Sequence, residues 1–430
     1  MTTAGEPGTE TTGHRETRVF SRTVEVGNPT PTPGLTWTYY GESRRLDQVE
    51  GSTEKCRGSI ARICVSNLEQ QLGKLRKVKG WPFVKWCCGH RDGPPDGTVT
   101  GVPTTTDQGP AARTRRIATV ACWLTVAPVA AWAVLRLAGL ERGPLVQAVA
   151  FTPYVAAASL VPLGLALALR RRGPAALAAV IALALVGLVA PRAVAAGQPE
   201  VGGPTLRLLT ANLLVGGADP ARLVGLVRAH RVDVLAVQEF TPGIAAELDR
   251  LGLATLLPYR ELNPEVGTTG SGLYARFPLS EGGFRRNQGF SFTQAYGTLA
   301  VPGAPPVRVE SAHPAAPYAV DVLPDWWTDL RAQPPATPDG RLSILAGDFN
   351  ATLDHAPLRE LIATGYVDAA DAAGAGLVGT WGPYDGDPIP PVTIDHVLVD
   401  RRIAVRSVTV HAVPGSDHRA VLAELRLPAA

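Results

Sequence analysis

Between residues 117 and 190 the chain carries three apolar runs, at about 117–138, 144–169 and 174–190, with Glu141 as the one acidic residue among them. Each approaches the roughly 20 residues a helix needs to cross a bilayer, the third at the short limit. Pro128, Pro153 and Pro162 interrupt the runs, which a membrane tolerates where neighbouring helices satisfy the freed backbone groups. Three successive runs so poor in charge argue against a buried hairpin of a soluble domain. Their position, over a hundred residues into the chain, argues against a cleaved signal peptide. Three transmembrane helices are therefore predicted within residues 111–192, in contact with a lipid bilayer, followed by a Gly- and Ala-rich linker over 193–204.

The arginines orient this segment. Arg113, Arg115 and Arg116 precede the first run, and Arg170, Arg171 and Arg172 separate the second from the third. Both clusters are expected on the cytoplasmic side; Arg142, beside Glu141, is a weaker set. Three crossings then make a multi-pass cell-membrane protein whose residues 195–430 lie outside the cytoplasm.

Composition changes sharply on either side of the apolar block. All five lysines lie between Lys55 and Lys85, and all five cysteines at or before Cys122. Residues 201–430 hold 18 Arg and no Lys against 24 Asp plus Glu, a net charge of −6, so the overall +3 comes from +9 in the first 200 residues. A domain at −6 lacks the broad basic footprint of long nucleic-acid binders, and at this size needs no disulfides. Residues 1–110 show no sustained hydrophobic period and are expected to be poorly structured. Cys87 and Cys88 are adjacent, so with Cys56, Cys64 and His90 they do not form a paired zinc knuckle. The abrupt end of lysine usage suggests an over-extended gene start, with the native one at Val99 or Val102.

From residue 205 strands and helices alternate. Strands are predicted at 206–213, 233–238, 272–275, 295–301, 307–311, 342–346, 394–399, 405–410 and 420–425. Helices are predicted at 220–230, 242–251, 320–331 and 357–363. Four short signatures close or open such strands: Gln238-Glu239, Gly347-Asp348-Phe349-Asn350, Ile394-Asp395-His396 and Ser416-Asp417-His418. Strand ends deliver these carboxylates, an amide and an imidazole to a common edge. Such a set can hold a hard divalent cation and attack a phosphoester. Glu239 follows the apolar Val234–Val237. In an extended chain Asp348 and Asn350 share one face, and Asp395 and His396 point oppositely, which leaves His396 a structural role.

With Asn212 and His313 added, the set resembles the endonuclease/exonuclease/phosphatase superfamily, metal-dependent phosphoesterases similar to DNase I, over roughly residues 205–427. The resemblance implies an α/β four-layer sandwich of two packed β-sheets flanked by helices. It implies hydrolysis of a phosphoester, with Mg2+ as cofactor (Mn2+ or Ca2+ in its place), by in-line attack of an activated water. It assigns the metal to Glu239, Asn212 and Asp417, Asn212 serving either the metal or a phosphate oxygen and Asp417 either the metal or the position of the water. Asp348 orients or deprotonates the water, and Asn350 and His313 contact the phosphate. Asp395 fixes His418, which stabilises charge or acts as general base.

Some features depart from that pattern. Leu213 and Leu214 stand where some repair nucleases carry an additional acid. Ser271-Gly272-Leu273 offers no basic clamp, and Arg285 and Arg286 read as an exposed pair. Trp326 and Trp327 suit a helix packed by one of them, and Trp381 the rim of the site or the core. The substrate stays open among DNA, RNA, phosphoinositides, sphingomyelin and small phosphodiesters, since a fold alone does not select it. A non-catalytic membrane-tethered binding module and a transporter with an accessory domain are the competing classes. No protein partner is expected.

Overall fold

The second apolar run, expected as one helix, is broken into three. The computed structural model describes residues 110–382 and 389–430, all within one unit spanning Gly101–Ala430. The readings of residues 1–109 lie outside the described residues. Helix α1 is Pro110–Ala138; the second run forms α2 (Leu145–Val149), α3 (Thr152–Ala158) and α4 (Leu160–Ala168); α5 is Arg172–Val189. The breaks fall just before Pro153 and Pro162, where proline lacks an N–H and its ring crowds the carbonyl four residues back. Two helical stretches, Ala111–Ala138 and Arg172–Ala193, are long and apolar enough to cross a membrane, while Thr152–Ala168 is shorter. Small residues (Ala133, Ala156, Ala178, Ala182) bring these helices together, and Leu124, Val161, Val180 and Leu183 face outward. That arrangement suits helices whose solvent is lipid.

Two six-stranded mixed sheets follow. The first runs β11-β12-β1-β2-β4-β3 and the second β5-β6-β7-β8-β10-β9. In chain order the strands are β1 (Thr205–Asn212), β2 (Val234–Gln238), β3 (Tyr259–Asn263), β4 (Ser271–Ala275), β5 (Leu279–Arg286), β6 (Thr293–Leu299), β7 (Val307–Ala312), β8 (Leu342–Asp348), β9 (Tyr366–Asp368), β10 (Asp395–Asp400), β11 (Ala404–Ala412) and β12 (Arg419–Arg426). Strand side chains alternate between faces, so Leu206 and Leu208 meet Val307, Val309, Ile344 and Val397 between the sheets. Leu209 and Val237 instead face α6 (Pro220–Ala229) and α7 (Pro242–Arg250). On the far side Leu345 and Leu398 pack under α9 (Leu323–Arg331) and α10 (Ala356–Ala363). Each fully buried Val, Leu or Ile contributes about 1.5–3 kcal/mol. The result is the expected four-layer sandwich; the short helices α8 (Leu253–Leu256) and α11 (Ala369–Ala372) complete it.

The N-terminal helices are bolted to this sandwich through one aspartate. Asp354, fully buried, receives Arg136 Nε at 2.6 Å and Arg192 Nη1 and Nη2 at 2.8 and 2.7 Å. Around it Glu141 accepts from the Ala356 N–H, and Gln147 donates to the Pro317 carbonyl at 2.7 Å. Val146 joins the core under α10, and Ala195 bridges to Ala373. Pro317, Asp354 and Ala373 lie in loops that follow β7, β8 and β9. All three loops leave the same edge of the second sheet.

Candidate active site

That edge also carries the predicted site. Parallel β1 and β2 end at Asn212 and Gln238, and parallel β7 and β8 end at Ala312 and Asp348. Strands β10 and β12, antiparallel to β8 and β1, begin at Asp395 and just after His418. Six strand termini from two sheets thus converge, and their side chains are connected. Asn212 Nδ2 donates to Glu239 Oε1 at 3.1 Å and to Asp348 Oδ2 at 3.0 Å. His418 Nδ1 lies 2.9 and 3.1 Å from the two Asp395 oxygens, and its Nε2 faces Asp348 Oδ2 at 3.6 Å. Thr380 Oγ1 accepts the Asp395 N–H at 3.0 Å and fixes that carboxylate's strand start. Ser416 Oγ donates to the Asn212 carbonyl at 2.8 Å and accepts the His418 N–H, locking the β12 entry loop to the end of β1.

Two of the residues sit on strained backbone: Glu239 at φ 52° and Asn350 at φ 49°, both left-handed. Such conformations cost of order 1–3 kcal/mol and persist where the surroundings enforce them. At Glu239 the turn brings Oε2 to the Val215 N–H at 2.8 Å. At Asn350 it overturns the expectation that Asp348 and Asn350 share a strand face, because β8 stops at Asp348. Asp348 Oδ1 instead accepts the Asn350 N–H at 2.8 Å in an Asx turn. The Asn350 amide donates to the Pro314 carbonyl, and its own carbonyl accepts from buried Trp326.

His313 lies at the cluster's margin, with Nε2 3.9 Å from Asp348 Oδ2 and its ring stacked on Phe292 at 4.3 Å. Asp417 Oδ1 is 4.0 Å from His418 Nε2, and Trp381 Nε1 donates to its Oδ2 at 2.9 Å, so the rim tryptophan holds a site carboxylate. His396 is structural as expected, between Asp368 at 2.7 Å and the Ala351 carbonyl. Arg285 is turned inward to Glu310, Asn287 and Gln333, while exposed Arg286 pairs with Glu265. The reading of an exposed pair holds for Arg286 alone.

Charge is unbalanced here. Glu239, Asp348, Asp395 and Asp417 surround one imidazole, and no arginine pairs with Glu239, Asp348 or Asp395 among the described residues. Burial pushes the Asp348 carboxyl well above the usual range, with His418 opposing and Asp395 reinforcing the shift. Burial likewise raises Glu239 against its bonds from Asn212 and Val215. Burial opposes charge on His418, but Asp395 and Asp348 outweigh it and hold the ring protonated well above neutrality. His313 is pushed down to about 3 by burial and by His418, so it is neutral.

Asp348, Asp395 and His418 have ligand atoms within 4.8 Å of one another. Asp395 spends both oxygens on His418, however, which makes these two a hydrogen-bonded pair facing Asp348 more than part of a ligand shell. The under-neutralised oxygens of Glu239 and Asp348, with Asp417 nearby, are the chemistry a hard cation takes. The donor set fits a divalent ion.

Residues 209–418 match the model of the Endonuclease/Exonuclease/phosphatase family. Among solved structures, an endonuclease/exonuclease/phosphatase from Beutenbergia cavernae is 22% identical, covering 52% of this chain and 72% of its own, with a TM-score of 0.42. Sphingomyelinase C from Streptomyces griseocarneus is 18% identical (51% and 99% covered, TM-score 0.38). D. rerio TDP2 with a single-strand DNA product is 16% identical (52% and 99% covered, TM-score 0.40). No curated protein matches the chain.

Proposed function

We propose, from the premise that the C-terminal domain belongs to the endonuclease/exonuclease/phosphatase family, that this chain is a membrane-anchored, Mg2+-dependent phosphodiesterase. The observation that carries this reading is the gathering of Glu239, Asp348 and Asp395 around His418 at the shared edge of two sheets, with no arginine paired to any of these three acids among the described residues. Glu239, Asn212 and Asp417 would hold the cation, which when bound supplies a Lewis acid for a phosphoryl oxygen. Asp348, with its raised proton affinity, takes the proton of the attacking water, and Asn212 keeps that carboxylate aimed. His418, kept charged by Asp395, stabilises the negative charge that grows on the phosphate. A ring already protonated is a poor general base, so the electrostatic role is favoured over the alternative. Neutral His313 donates a hydrogen bond to the phosphate, and Asn350 shapes the turn that presents Asp348.

The helix arrangement supports the membrane placement. The C-terminal ends of α1 and α5 both meet the domain through Arg136 and Arg192. Arg113–Arg116 and Arg170–Arg172 are therefore left at the opposite ends. The broken arm of residues 145–168 returns between them. With the basic ends cytoplasmic, the domain is extracytoplasmic.

The test uses the full chain in detergent, because Asp354 depends on the helices. Release from a generic phosphodiester, a phosphomonoester, DNA, RNA and phospholipid is followed with Mg2+, with Ca2+ and with chelator. Metal-dependent release that falls at least ~10³-fold in His418→Ala is expected, at the level general acid–base and electrostatic groups contribute. Silence on every substrate, from a folded protein that binds Mg2+, would replace this reading with the non-catalytic module.

A further inference from the structure

The loops around the site are apolar where a site for soluble polyanions would be basic. Val215 follows β1, Val266 precedes β4, Tyr318 and Val320 follow β7, and Leu377 and Val378 lead to Trp381; these six are 42–81% exposed. Among the described residues of 195–430, the large hydrophobics exposed besides these six and the adjacent Leu214 are Tyr259 and Phe284. Strand β4 begins opposite Gln238, and Thr393, beside Ile394, donates to the Val378 carbonyl. All six residues therefore rim the edge that bears Glu239, Asp348 and His418. From exposed Tyr318 an aromatic path runs inward through Phe290 and Phe292 to the ring of His313, with centroid steps of 6.5, 4.9 and 4.3 Å.

The same edge receives the anchor. A cavity of about 430 Å³ lies between the helices and the edge loops, walled by Pro153, Ala157 and Val186 on one side and Leu353, Leu377 and Val392 on the other. Helix side chains and the rim residue Leu377 thus line one cavity, with Arg192 and Asp354 at its wall. A group of exposed apolar side chains marks a partner, and its place beside the candidate spans identifies that partner as the bilayer.

We propose that the site-bearing edge rests on the membrane and that the substrate is a bilayer lipid with a phosphodiester headgroup. This rests on the phosphodiesterase reading of the site and on the membrane placement. The rim enters the headgroup region, where a lipid's phosphate lies, and that phosphate reaches Asp348 and His418 without the lipid leaving the bilayer. Water adds to phosphorus and one phosphorus–oxygen ester bond breaks. The departing oxygen leaves as an alcohol after taking up a proton, and a phosphomonoester remains. Nucleic acid is disfavoured by the net −6 of residues 201–430.

The experiment compares two substrates of one preparation, the full chain in Mg2+. One is phosphatidylcholine–phosphatidylglycerol vesicles, followed by phosphorus-31 NMR; the other is soluble bis(p-nitrophenyl) phosphate. Lipid turnover is expected to exceed soluble turnover at least 100-fold in kcat/KM. The double variant Val266→Asp/Val320→Asp should lower the lipid-to-soluble ratio at least tenfold, both positions being exposed and clear of the hydrogen-bonded cluster. Soluble ester cleaved in a His418-dependent way with intact vesicles, or a ratio unmoved by the double variant, overturns the lipid proposal and leaves the phosphodiesterase reading standing. No cleavage of either substrate overturns both.

Discussion

Asp348 and Asp354 lie six residues apart, one at the end of β8 and one in the loop beyond it, and both carboxylates are buried. Their settings are opposite. Asp354 is enclosed by Arg136 and Arg192; burial works against its charge, but Arg192 and then Arg136 hold its carboxyl below the ordinary range. Asp348 has no guanidinium beside it: its oxygens accept from Asn212 and the Asn350 N–H, His418 lies 3.6 Å away, and burial with Asp395 raises its carboxyl despite His418. Burial alone therefore decides little. One aspartate is saturated by guanidiniums and serves as a structural bolt. The other is left short of cations and is available for chemistry.

Removing His418 should break the reactive side most. His418→Ala is expected to cost on the order of 10³-fold or more in kcat with the folded structure intact; a variant within tenfold of the parent would remove this residue from the mechanism. Next is the bolt. Asp354→Asn leaves Arg136 and Arg192 buried without a counterion, a loss of roughly 3–5 kcal/mol, read as a lowered midpoint in denaturant; an unchanged midpoint would mean that the clamp does not bind anchor to domain. Glu239→Gln should raise the Mg2+ concentration for half-maximal rate by about 10–100-fold, at least the cost of losing an outer-shell partner. An unaltered Mg2+ dependence would remove Glu239 from the ligands.

The smallest effect sharpens the contrast through its sign. In metal-free buffer at pH 7, Asp348→Asn should stabilise the protein by about 0.5–2 kcal/mol, as substitutions at strained functional sites do, while abolishing turnover. Linkage sets the pH dependence. Asp348's folded value exceeds its unfolded one, near 3.9, so the folded state holds its proton longer and stability falls as pH rises from about 4 through the raised value. Asp354 behaves conversely: its contribution is full above its unfolded value and is lost as pH falls through its depressed folded value. The stability gap between Asp348→Asn and the parent should therefore widen from pH 4 to 7. A gap that is constant or narrows contradicts the assignment.

The interior of the sandwich was readable because central strands are continuous apolar runs, and the site because its signatures cap those runs. Strands β3, β5 and β9 lie at sheet edges and lack a continuous apolar run, whereas the edge strand β11 is legible through Val405, Val408 and Val410. In β5 the exposed positions Ser280, Glu281, Gly282, Phe284 and Arg286 break the pattern a buried strand would show. An Asx turn and a continuing strand are both compatible with Asp-Phe-Asn, so the sequence alone does not decide between them at Asn350. Asp354 carried no local signal at all, since its partners are 218 and 162 residues away. His355 had none either, being bonded to the Val146 carbonyl at 2.9 Å.

The most direct test of the contrast is the thermal midpoint of the full chain with chelator and with saturating Mg2+, for the parent, Asp348→Asn and Glu239→Gln. If the acid cluster awaits a divalent cation held by Glu239, Mg2+ at about 100 times its dissociation constant should raise the parent midpoint by about 5 °C or more, with little or no rise in Glu239→Gln and a rise retained in Asp348→Asn. A parent midpoint indifferent to Mg2+, or equal rises in the parent and Glu239→Gln, would contradict the metal site on which the proposed chemistry depends.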